Sequence, residues 1–66
     1  MRTAALSPRE YDVLRLVACG HTNIEVGREL HLSVNTVKTY LKSLMQKLDA
    51  RNRVQLITNA HLQGLL

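Results

Sequence analysis

The sequence has no Phe and no Trp, and only two Tyr. Its core must therefore be aliphatic, built from Leu, Val, Ile, Ala and Met. The single cysteine, Cys19, excludes an internal disulfide, which fits a reducing cytoplasm. Beside a helix end, Cys19 reads as a small buried residue rather than a reactive thiol. One Pro and three Gly leave no linker or low-complexity tract. No apolar run approaches the roughly 18 residues of a membrane span, so no membrane partner is expected. The first residues lack a leader pattern, because Arg2 is followed by only a few small residues before Ser7 and Pro8. His21, His31 and His61 do not pair at metal-ligand spacing, so no metal or other cofactor is expected. Ser7, Ser33 and Ser43 have no His–acid arrangement, and no Gly-rich loop cradles a phosphate. A chain this short buries only about 60% of its unfolded surface, which leaves little material for the walls of a catalytic pocket. The reading is a single domain over residues 1–66 that docks onto something larger and is not an enzyme.

What is present is an uneven charge. Residues 1–32 hold four Lys or Arg against four Asp or Glu, which cancel. Residues 33–66 hold Lys38, Lys42, Lys47, Arg51 and Arg53 against Asp49 alone, so the whole net charge of +4 lies there. A basic stripe of this kind favours a polyanion.

Hydrophobic spacing and capping chemistry give an all-α reading with four helices, at about 8–19, 23–31, 34–48 and 53–64. Ser7-Pro8-Arg9-Glu10 is a capping box with Pro at the first helical position, where its missing N–H costs nothing. Gly20 marks the end of that helix. Thr22-Asn23-Ile24-Glu25 is a second capping box, and Ser33 opens the third helix. Eleven residues separate the second helix start from the third. That leaves two helical turns and a tight connection, as a helix-turn-helix requires. Asn52 caps the fourth helix, with Leu56, Ile57 and Ala60 as its apolar positions and Gly64 at its end.

At about 100° per residue the third helix separates into two faces. With Asn35 at zero, Val37, Leu41, Leu44 and Leu48 fall at roughly 180–240°. Asn35, Lys38, Thr39, Lys42 and Gln46 fall within roughly 60° of zero. The first set is made for a core. The second carries amide, hydroxyl and ammonium groups, and residues 30 to 48 contain no acid at all. A generic solvated helix face mixes signs and pairs Glu with Lys one turn apart. An acid-free face instead suits the major groove, where Lys donates to guanine, Asn35 pairs with adenine and a Thr methyl meets thymine.

In order and without a gap, Leu6-Ser7-Pro8-Arg9-Glu10, Val13-Leu14, Gly20, Thr22-Asn23, Glu25, Leu32-Ser33, Asn35-Thr36-Val37-Lys38-Thr39, Lys47-Leu48 and Arg51-Asn52-Arg53 resemble the LuxR-type (GerE or FixJ-type) helix-turn-helix family. The resemblance runs from Leu6 to Leu65. It implies sequence-specific binding of double-stranded DNA for transcription regulation, by a C-terminal output domain of a larger bacterial regulator. By that resemblance Lys38, Thr39 and Lys42, with Asn35 beside them, would meet base edges. Thr22, Asn23, Ser33, Thr36 and Tyr40 would lie near phosphates, as would Lys47, Arg51 and Arg53. The fourth helix would form a homodimer, with Leu56, Ala60 and His61 as the expected contacts, and RNA polymerase is a further candidate partner. Four positions depart from the pattern. Tyr40 replaces a common His, Gly27 an Ala, Asp49 a Gly, and Ile24 a polar residue. Asp49 bears on the angle between the third and fourth helices. Gly27 lowers helix propensity, and closer packing of helix two on helix three is the expected compensation.

Two rivals remain at this point. A promoter-reading domain of a sigma factor has a similar helix-turn-helix but normally ends at the recognition helix, against a capped fourth helix here. A protein-interaction module without DNA binding would not need an acid-free basic face.

Overall fold

A computed structural model describes residues 5–66. Residues 1–4, on which part of the leader reading rests, lie outside them. The described chain forms α1 (Pro8–Ala18), α2 (Asn23–Leu30), α3 (Val34–Lys47) and α4 (Arg53–Leu62), with no strand among the described residues. Each helix ends one or two residues before its expected end, and the reason is the same type of stop in three of them. After α1, Gly20 N–H donates to the Val17 carbonyl and His21 N–H to Leu16. After α4, Gly64 and Leu65 make the same pair of bonds to His61 and Ala60. After α3, Asp49 and Ala50 do so to Gln46 and Met45. This double bond pattern needs a left-handed residue just past the helix. Gly20 and Gly64 take it at φ 93° and 73°, and Asp49 takes it at φ 55°. Asp49 thus fills the glycine role at the steric cost of a Cβ.

The starts follow their caps. Ser7 and Thr22 each accept from the backbone N–H three residues on, while Glu10 and Glu25 accept from the cap N–H in return. Ser33 caps α3 and Asn52 caps α4 by the same first bond, without an acid to return it.

The aliphatic core is Val13, Leu14, Leu16 and Val17 of α1, Val26 of α2, Val37, Leu41 and Leu44 of α3 with Leu48 at its cap, and Leu56 and Ala60 of α4. The core face assigned to α3 from its phase is therefore the buried one. α3 packs against each of the other three helices, whereas the backbones of α2 and α4 do not come close to one another. Leu56 and Ala60 are fully buried, so they belong to the core and not to the dimer surface expected for them. Their spacing of four, one helical turn, signals burial but does not say against what. Cys19 also departs from expectation: it caps α1 and is exposed.

The turn between α2 and α3 is tight because of Gly27. A Cβ there would stand 2.5 Å from the Leu32 carbonyl oxygen and 3.8 Å from Val37 Cγ2. The closer packing expected of this glycine is thus present, and it lies chiefly against the turn. At the other end of α3, Asn59 of α4 donates its amide to the Leu48 carbonyl at 2.9 Å and to that of Asp49 at 3.3 Å. These bonds satisfy carbonyls that a helix end leaves free. They tie α4 to α3 at the place where Asp49 departs from the family pattern.

Candidate nucleic-acid interface

Val37, Leu41 and Leu44 anchor α3, so the residues half a turn away must face solvent. Asn35, Lys38, Thr39, Lys42 and Gln46 are all exposed. Among the described residues, Lys38 and Lys42 form no ion pair or side-chain hydrogen bond. Thr39 donates its hydroxyl to the Asn35 carbonyl at 3.1 Å. A shallow depression, open to solvent, runs along the flank of α3 between Lys38, Lys42, Met45, Asp49 and Ala50.

The start of α3 differs electrically from those of α1 and α2. Glu10 and Glu25 stand in the first turns of those two helices and offset the positive dipole end. α3 has no acid in its first turn. Ser33 and Thr36 occupy it instead, their hydroxyls 2.9 Å apart. An uncompensated helix start with free N–H groups and hydroxyls favours an anion. At α2, the hydrogen bond from the Thr22 backbone N–H holds the Glu25 carboxyl below its ordinary value.

The remaining expected phosphate residues divide. Arg51 and Thr22 are exposed, and Tyr40 and Thr36 are half-buried. Lys47 is committed internally: it donates to Glu10 Oε1 at 2.7 Å and to the Ala5 carbonyl at 3.1 Å. Arg53 is half-buried and forks onto Asn23 Oδ1 at 2.8 Å and the His21 carbonyl at 2.7 Å. Two residues expected separately at phosphates, Asn23 and Arg53, are thus bonded to each other. Of the expected dimer residues His61 alone is exposed. With it on the outer side of α4 stand Val54 and Leu62, at 74% and 79% exposure.

Sequence reasoning missed the buried carboxylate. Glu10 is only 4% exposed. Besides its cap bond it accepts from Ser43 Oγ at 2.6 Å and from Lys47. Burial alone would raise its pKa. The bonds from Lys47, Ser43 and Ser7 outweigh that and hold it at about 2, against an ordinary 4.5. The partners lie 33 and 37 residues away. No local pattern announces them, and the capping box already explained Glu10.

No group of three or more metal-ligating side chains occurs among the described residues, and no helix of the described chain is long and apolar enough to cross a membrane.

Residues 4–60 match the model of the family described as bacterial regulatory proteins, luxR family. Among curated proteins, the chain is 46% identical over 65 residues to the HTH-type transcriptional activator RamA of Corynebacterium glutamicum, covering 98% of this chain and 23% of RamA. It is 40% identical over 62 residues to the transcriptional regulatory protein LiaR of Bacillus subtilis, covering 94% of this chain and 29% of LiaR. Among solved structures, it superimposes on a chain of the VqmA dimer of Vibrio cholerae, a LuxR-type receptor, with a TM-score of 0.92 at 33% identity, covering 96% of this chain and 28% of that one. The response regulator ChrA of a heme-sensing two-component system gives a TM-score of 0.91 at 36% identity, covering all of this chain and 33% of that one. The chain therefore spans about a quarter to a third of the length of these relatives. Capped helices in the right order, a tight α2–α3 turn and the match over residues 4–60 agree: this chain belongs to the luxR family of bacterial regulatory proteins.

Proposed function

We propose that this domain binds double-stranded DNA in a sequence-specific way, as the DNA-reading part of a longer transcription regulator acting in the cytoplasm. α3 enters the major groove. Asn35, Lys38, Thr39 and Lys42 read base edges, with the lysines donating to guanine and the Thr39 methyl meeting thymine. Ser33 and Thr36 at the uncompensated start of α3 take a phosphate. Thr22 and Asn23 at the start of α2 take another, and Tyr40 and Arg51 add flanking contacts. The observation that carries this reading is the exposed face of α3, which holds unpaired lysines and no acid.

Two copies dimerise on DNA through the outer side of α4, by Val54, His61 and Leu62 rather than by the buried Leu56 and Ala60. RNA polymerase remains a candidate partner of the longer regulator. The relatives RamA and LiaR bear names of transcriptional regulators, which supports the regulatory part of the reading.

Fluorescence anisotropy with duplex DNA over a series of salt concentrations tests the central claim. The expected affinity falls with salt, with a logarithmic slope of about 0.9 per phosphate neutralised. Binding that ignores both salt and sequence overturns it. Selection of duplexes from a random pool then gives the operator, and a palindromic product supports two half-sites.

A further inference from the structure

We infer that Arg53 is a positioning residue for DNA binding and not a phosphate ligand. It holds the start of α2 so that the Asn23 amide nitrogen is offered to a phosphate. The inference rests on the DNA-binding reading above.

Arg53 is the first residue of α4, and Asn23 is the first residue of α2. The backbones of these two helices do not come close to one another. The Arg53 side chain crosses between them and forks onto two acceptors, Asn23 Oδ1 and the His21 carbonyl. His21 and Asn23 flank Thr22, the cap of α2. One planar guanidinium therefore fixes both sides of the cap, with a geometry that a Lys ammonium does not reproduce.

The fork also settles the orientation of the Asn23 amide. Guanidinium has donors only, so the oxygen of Asn23 must face it and the NH2 must lie on the other branch. That NH2 donates to no group among the described residues. Turned round, the amide would set donor against donor. Arg53 thus selects the orientation in which Asn23 presents donors, as an anion requires. The guanidinium itself is half-buried, and each of its terminal nitrogens already donates once inside the domain.

The test measures affinity for a duplex selected from a random pool, over a salt series, with circular dichroism as the fold check. Arg53→Met and Arg53→Lys are each expected to weaken binding by about 3–10-fold, the worth of one misplaced hydrogen-bonded contact. The salt slope is expected to stay at the wild-type value, because no phosphate-neutralising charge is lost. A slope shallower by about 0.9 in Arg53→Met, restored in Arg53→Lys, makes Arg53 a phosphate ligand and overturns the inference. Wild-type affinity in both variants overturns it as well. Should the Arg53 variants fail to fold, Asn23→Asp decides. It keeps an acceptor for Arg53, so the domain folds, but it replaces the NH2 with an oxygen. Binding is expected to fall at least about tenfold, and undiminished binding overturns the inference. A wild-type chain that binds no DNA removes the underlying reading instead, before any variant is compared.

Discussion

Lys38 and Lys42 stand one turn apart on α3, exposed and uncommitted, whereas Lys47 lies farther along and is bound to Glu10. Three lysines of one helix therefore stand in two different settings. Lys38→Ala or Lys42→Ala is expected to cost about 1–3 kcal/mol of specific DNA binding with the melting curve unchanged. An unfolded variant in circular dichroism would place those side chains in the packing and contradict the helical phase. Glu10 gives a prediction of the opposite kind, on stability alone. Its folded pKa of about 2 lies below the ordinary 4.5. The charged form is thus favoured by folding, and its contribution is complete above pH 4.5 and lost as pH falls toward 2. That difference bounds the effect at about 3 kcal/mol, and solvent around the 40%-exposed Lys47 lowers it. Urea unfolding of wild type should weaken between pH 4.5 and 2, and Glu10→Gln should show a flatter acid limb. Parallel limbs for the two proteins would remove the network from the stability of the fold.

At the scale of helices, the sequence was most legible where the signal is local. Caps, stops and the helical phase of α3 rest on spacings of five residues or fewer, and those boundaries held to within two residues at each end. Asp49 illustrates the limit. Its left-handed conformation follows from its place after Leu48, but the Asn59 bonds that tie α4 to that corner join residues 10 and 11 apart, which no pattern announces. The same holds for Arg53 with Asn23 and for Lys47 with Glu10. The basic residues were visible as charge, but charge does not reveal whether a partner inside the domain already holds it. Gly27 lies between these cases. Its cost to helix propensity is local, about 1 kcal/mol against Ala, while its benefit is a non-helical carbonyl brought within 2.5 Å of where a Cβ would stand. The obstacle is backbone, so an added methyl must move the α2–α3 turn. Gly27→Ala is expected to destabilise the domain by about 1–3 kcal/mol despite the better helix former. A rise in melting temperature would mean that the turn yields freely.

For the whole molecule, the outer side of α4 carries the two most exposed large apolar side chains among the described residues. Leu56 and Ala60 turn inward, and Val54 and Leu62 remain in water. α4 has ten residues, about 15 Å of helix. Two such helices side by side bury far less than the roughly 1,200–2,000 Å² of a stable interface. The contact is therefore expected to be too weak to hold a dimer in dilute solution. On the proposed DNA-bound arrangement it would gain effect, because two copies on adjacent half-sites, about 34–36 Å apart, would already be near one another. Leu62→Asp isolates that contribution. The residue is 79% exposed, so the fold should keep its stability within about 0.5 kcal/mol. Affinity for a duplex with one half-site should match wild type, apart from a small uniform effect of the added charge. Affinity for a duplex with two half-sites should fall by a further factor of about ten or more, because the second copy no longer benefits from the first. Equal losses on both duplexes would assign the effect to charge alone and leave α4 without a role in dimerisation.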